Sequence, residues 1–165
     1  MHLYFTIILR AGVAFAVLMG LFGQFVVIPG TAAGEVERFP PYAPLEVPYV
    51  TLAVIGVACV QVALIAVWQL LGMVGRDAIF TSRAFLWVDV IIGATVVATL
   101  LTGGVTVHLF FADIPSPADG MDLLSAFLAA AMTTGGGVAL TMLLVLMRGL
   151  LRKATDLQTE ISEVV

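Results

Sequence analysis

Residues 49–74 read YVTLAVIGVACVQVALIAVWQLLGMV, a run with no charged side chain anywhere in it. As a helix rising about 1.5 Å per residue, it is long enough to cross about 30 Å of hydrocarbon. Three further stretches meet the same test, near Leu3–Ile28, Ala84–Phe111 and Met121–Met147. Hydrophobic residues fill 61% of 165 positions and charged residues 11%, with a mean hydropathy of +1.13. Such a composition belongs to an integral membrane protein. The expected fold is all-α, a four-helix transmembrane bundle over residues 1–147 with an amphipathic helical tail over 148–165.

The first span precedes Gly30-Thr31-Ala32-Ala33-Gly34, which resembles a signal-peptide cleavage site. Its apolar part is longer than a signal h-region and no basic cluster precedes it, so it reads as a span. Residues 29–48 contain five prolines and read as an external loop, in which Phe39, Pro40, Pro41 and Tyr42 are expected to be solvent-exposed connector rather than lid. Residues 112–120 form the second external loop. Both carry net negative charge, whereas the turn at 75–83 contains Arg76 and Arg83, and the fourth span is followed by Arg148, Arg152 and Lys153. Basic residues stay on the cytoplasmic side, so both termini are expected to be cytoplasmic.

Arg10 and Asp89 lie at similar depths in spans one and three, where each costs about 2.5–3.5 kcal/mol at a helix centre and less nearer the surface. A shared depth predicts that they pair, with Gln69 of span two completing an intramembrane polar cluster. Such a cluster serves as a structural clamp or as a proton relay, and a lone Arg10 can instead snorkel to the head groups. No second acid at mid-depth extends a relay path.

Gly12, Ala16 and Gly20 recur every fourth residue and predict a close helix approach. Thr95, Thr99, Thr102 and Thr106 form one stripe of span three, expected to be a helix contact in preference to a pore lining. Gln61, Ile65, Trp68 and Gln69 share a face of span two that is expected to point into the bundle.

Much chemistry is excluded. Net charge is -4, with 7 basic and 11 acidic residues, so no basic surface exists for direct contact with nucleic acid. The single cysteine, Cys59, permits neither an intrachain disulfide nor a CxxC motif. His2 and His108 fall at opposite membrane faces and cannot share one haem or zinc ion. The only lysine, Lys153, lies outside the spans. No GxSxG, HExxH, P-loop or GxGxxG pattern occurs, and neither catalysis nor a cofactor is expected.

Past the last span, Leu150, Ala154, Leu157, Ile161 and Val164 repeat at a/d-like spacing, while Arg152, Lys153, Asp156, Glu160 and Glu163 occupy other faces. The fourth helix is therefore expected to continue into the cytoplasm. Its distal half is acidic and is repelled by an anionic leaflet, so a protein partner or a second copy is the expected cover for the stripe.

Leu70–Val90, LLGMVGRDAIFTSRAFLWVDV, and the ending LLRKATDLQTEISEVV resemble the domain-of-unknown-function 2975 family of small bacterial membrane proteins. The matching positions are Phe80, Thr81, Ser82 and Arg83, then Leu150, Leu151, Ala154, Leu157, Glu160 and Glu163. Asp77-Ala78 replaces a glycine often found before the phenylalanine. The resemblance implies four spans, a bacterial cytoplasmic membrane and no established reaction. It also implies genes that neighbour one for a small helix-turn-helix regulator.

The expected function is thus a non-enzymatic regulatory or scaffold protein in the lipid bilayer. It would hold a cytosolic partner, such as that regulator, through Arg76, Phe80, Arg83, Leu150, Leu157, Glu160, Ile161 and Glu163. The alternatives are an oligomeric channel or small transporter, and a structural subunit of a membrane complex. Small-residue faces permit homo-oligomers as readily as packing within the chain.

Overall fold

A computed structural model describes residues 2–74, 82–117 and 120–164, following the segment beyond Thr155 as a backbone path. The described residues are almost entirely helical, in four helical stretches long and apolar enough to cross a membrane. The first stretch comprises α1 (His2–Phe22), a π-helical turn at Gly23–Val27 and α2 (Ile28–Arg38). The others are α3 (Ala43–Val74), α4 (Ser82–Phe111) and α5 (Met121–Val164).

The proline-rich segment 29–48, expected to be a loop, is instead helical almost throughout. Only Phe39, with φ -140° and ψ 89°, breaks the path before a short 3-10 turn at Pro40–Tyr42 leads into α3. The reason lies in where the prolines fall. Pro40 and Pro41, and Pro44 stand in the opening turns of the 3-10 helix and α3, where the missing N–H is least costly, and Pro29 follows directly on a π turn. Pro48 is inside α3 and leaves the carbonyl of Pro44 without its usual donor.

Pro29 also accounts for the π turn. Its ring would strike the carbonyl of Phe25 in a regular helix, and the wider turn just before it relieves that clash. The Thr31 hydroxyl then donates to the carbonyls of Val27 and Ile28, at 2.9 and 3.0 Å.

The helices pack antiparallel and in chain order. α1 and α2 lie on α3, α3 on α4, and α4 on α5. Among the described residues, no Cα atom of α1 comes within 8 Å of α4 or α5, nor does α3 approach α5. The four-helix bundle is consequently an open row. Few side chains are shielded by protein: Val13, Gln24, Ala66 and Ala84 are buried, whereas Phe15, Phe25, Phe110 and Leu146 are more than half exposed. Exposed apolar surface on this scale would aggregate in water and is covered by acyl chains in a bilayer.

α5 reads most plainly as a packed stripe. Apart from Ala131, its partly shielded positions are Leu123, Phe127, Ala130, Thr134, Gly137, Thr141, Leu144, Arg148, Leu151 and Thr155, at alternating spacings of three and four. That heptad pattern is the signature of near-parallel helix axes. Gly120 starts the helix at φ +78°, which L residues rarely adopt, and its carbonyl accepts the first bond, from Leu124 N at 3.0 Å.

Candidate functional site

Antiparallel packing places the start of α1, the end of α3, the start of α4 and the far half of α5 at one end of the row, which carries Arg10, Arg83, Arg148, Arg152 and Lys153. The described residues of segments 28–48 and 111–123 form the opposite end, with five carboxylates and one arginine, Arg38.

At the basic end, the anticipated Arg10–Asp89 pair does not form. Asp89 is held by Arg148 of α5: Arg148 Nη2 donates to Asp89 Oδ2 at 2.8 Å, and Nε completes a two-pronged ion pair with Oδ1. The correction has a simple cause, since α3 stands between α1 and α4. Equal depth brings residues together only on adjacent helices. In the sequence Arg148 falls just past the fourth span, yet it occupies the packed stripe between Leu144 and Leu151. That spacing is the sequence signal that could have identified it.

Arg10 lies on α3 instead. Its guanidinium carbon is 5.5 Å from the centre of the Trp68 ring, a cation–π distance. Gly72 leaves it room, since a Cβ there would sit 2.9 Å from Arg10 Nη2. Arg10 Nε is enclosed and has no hydrogen-bond partner among the described residues. Gln69 is exposed and does not join Asp89; Ile65 is exposed as well. Of the face expected to turn inward, Gln61 is the residue that meets another span by hydrogen bonding.

Two glutamines fasten α1 to α3. Gln24 Nε2 donates to the Val54 carbonyl at 3.0 Å, and Gln61 Nε2 donates to the Val17 carbonyl at 3.4 Å. Gly20 makes space for the second, because a Cβ there would meet Gln61 Nε2 at 2.8 Å. Ala16 is partly shielded, whereas Gly12 is exposed, with no atom within 4 Å of where its Cβ would stand. The packed face of α1 therefore follows Arg10, Val13, Val17 and Gly20 and runs on to Gln24 in the π turn. Gln24 was not singled out in the sequence, although it is the one polar side chain amid the apolar residues 11–30 that can both donate and accept strongly.

The threonine stripe of α4 lies against α5. Thr95, Thr99, Thr102 and Thr106 each donate to a carbonyl one turn back on their own helix. Thr106 Oγ1 also lies 3.2 Å from Thr134 Oγ1. Thr99 packs on Gly137, where an added Cβ would fall 3.2 Å from the Thr99 Cβ. These hydroxyls are used in helix contact and self-capping.

Arg76 and Phe80 lie outside the described residues, and Arg83 is exposed. α5 continues as an unbroken helix to Val164. By the register of Asp89 with Arg148, Ser82 at the start of α4 stands level with about Thr155, so the helix beyond projects past the row. Leu150 is 63% exposed and Ala154 is exposed too. At about 100° per residue, their stripe is turned about 130° from the face packed on α4. Leu157, Glu160, Ile161 and Glu163 lie on that helical path.

At the acidic end, Tyr49 and His108 join α3 to α4, with Oη and Nδ1 2.9 Å apart and the rings edge to face. Beside them an open cavity of about 370 Å³ is lined by α2, the start of α3, the end of α4, Ile114 and the start of α5. Glu35, Glu46 and Asp122 belong to its lining.

The profile of the family described as "Protein of unknown function (DUF2975)" matches residues 30–165. The chain belongs to that family. The matched region takes in α3, α4 and α5 with the tail and leaves α1 outside it. Comparison with curated proteins and with solved structures finds no match.

Proposed function

We propose that this DUF2975 protein is a non-catalytic membrane anchor whose basic end faces the cytoplasm of a bacterial cell and presents a helical tail to a cytosolic protein. The observation that carries the reading is the continuity of α5: 44 residues, about 66 Å at the usual helical rise, against about 30 Å of hydrocarbon. Its packed stripe is taken up by α4 as far as Thr155, while Leu150 and Ala154 begin a second apolar stripe that α4 does not cover. An exposed stripe on a projecting helix suits helix-in-groove recognition.

The charges support this orientation, since Arg83, Arg148, Arg152 and Lys153 cluster at the end from which the tail leaves. The acidic residues Glu160 and Glu163 complement a basic partner, and a small helix-turn-helix regulator has such a surface. Arg83, exposed at the start of α4, stands at the same end of the row as the tail and is near enough to share the contact.

Affinity capture of the tagged protein from its native membrane, beside a version ending at Thr155, tests the proposal. Loss of a cytosolic partner from the shortened version alone is the expected result. An identical set of captured proteins from both versions would refute the tail as the docking element.

A further inference from the structure

At the acidic end the first helical stretch and α5 border the same cavity, although no Cα atoms of α2 and α5 come within 8 Å. Its volume of about 370 Å³ lies within the range of small-molecule sites, about 300–1,000 Å³. Its walls are mainly apolar, with Leu45, Leu109 and Leu123 supplied by three different helices.

Three carboxylates border this apolar space: Glu35 of α2 and Asp122 of α5, both exposed at its rim, and Glu46 of α3, half-buried. Only Glu35 has a basic neighbour, Arg38 at 3.4 Å in an exposed pair, which is weak in such a setting. Glu46 and Asp122 make no ion pair among the described residues. The lining also includes Tyr42 and Tyr49, and His108 holds the Tyr49 hydroxyl in place. An aromatic ring face attracts a cation, and more so where water is excluded.

A second cavity of about 340 Å³ adjoins the first, sharing Leu45 and Tyr49, and no carboxylate lines it. A neutral hydrophobic molecule has no reason to prefer one over the other. A positively charged one does.

We infer that the cavity lined by Glu35, Glu46 and Asp122 binds a lipophilic organic cation. The apolar walls remove its hydrocarbon from water, and the carboxylates with Tyr42 and Tyr49 balance its charge. A bound cation would also link the two outer parts of a row that otherwise touch only through α3 and α4.

The test uses the full-length protein in nanodiscs of zwitterionic lipid. Tetraphenylphosphonium is compared with tetraphenylborate, an anion of nearly the same shape, by equilibrium dialysis against empty nanodiscs. Saturable binding of the cation, with the anion weaker by about tenfold or more, is expected from the uncompensated carboxylates. Glu46→Gln should weaken the cation by about fivefold and leave the anion no weaker. Leu123→Trp should reduce cation binding by occupying the space.

Equal binding of the two ions overturns the inference, as does absence of saturable cation binding, or a Glu46→Gln protein that melts normally and binds the cation as before. Zwitterionic lipid that stays in the cavity at saturating cation overturns it too. If Glu46→Gln does not fold, the comparison of cation with anion on the unaltered protein decides.

Discussion

Gln24 and Gln61 face each other's helices in reciprocal fashion, each giving its side-chain amide to a backbone carbonyl of the other's helix. Gln24 reaches Val54 on α3 and Gln61 reaches Val17 on α1. Helical carbonyls already accept one bond along the axis and have a second lone pair free. In hydrocarbon, an amide without such an acceptor would be left unsatisfied.

Replacing either glutamine by leucine should loosen α1 from α3. Bonds of this kind average about 0.6 kcal/mol and reach about 1.7 kcal/mol in membrane proteins. Gln24→Leu, the better shielded and shorter bond, should lower detergent stability more than Gln61→Leu. Because the two use different acceptors about two helical turns apart, the double variant should show their sum within about 0.5 kcal/mol. A strongly non-additive double variant would contradict two independent bonds.

The pairing of Asp89 with Arg148 predicts which double variant is self-correcting. Asp89→Ala leaves a guanidinium unpaired between α4 and α5 and should destabilise the protein by about 1–3 kcal/mol. Adding Arg148→Leu should recover part of that loss, whereas adding Arg10→Leu to Asp89→Ala should give plain additivity. Thermal unfolding in detergent for these variants separates the two partners. Rescue by Arg10→Leu alone would overturn the assignment.

Adjacent glycines in α5 should respond differently to alanine. At Gly137 the new methyl group would crowd Thr99, while at Gly136 nothing lies within 4 Å. Gly137→Ala should therefore weaken the α4–α5 contact by about 1–3 kcal/mol. Gly136→Ala should be neutral, or stabilising by up to about 1 kcal/mol through helix propensity. Melting temperatures of the two variants, measured side by side, check the contrast, and equal responses would contradict the packing.

Gly120 is a third kind of site, with open space around it and a backbone angle of +78°. Gly120→Ala should cost about 1–2 kcal/mol through backbone strain alone. Amide exchange in the first turn of α5 should report the loss, and unchanged protection there would count against it.

The spans were legible because crossing hydrocarbon demands length and apolarity, which can be counted along the chain. The helical stretch around Pro29 to Pro48 was not, because a proline marks a loop or a helix's opening turn with equal force, and only the position of neighbouring turns distinguishes the two. Arg10 and Asp89 were matched by depth, a coordinate that hydropathy provides. Which helix stands beside which is a lateral coordinate, and it made Arg148 the partner instead. The threonine stripe could be read from its spacing, since the partners Thr134 and Gly137 only needed to be small and close. The acidic cavity left no local signal: Ala32, Tyr49 and Asp122 line one space yet lie far apart in the chain.

The packing of each helix on its sequence neighbours sets an order of assembly. As the chain emerges from the ribosome, every new span finds the surface it requires already in the bilayer, and none has to wait for a later one. α3 can dock on α1 by its glutamine bonds, α4 on α3 by Tyr49 and His108, and α5 last, guided by Arg148 toward Asp89. Loss of the final helix would strip the row from one side and leave the earlier hairpins in place, so a stalled or clipped chain would retain most of its native contacts.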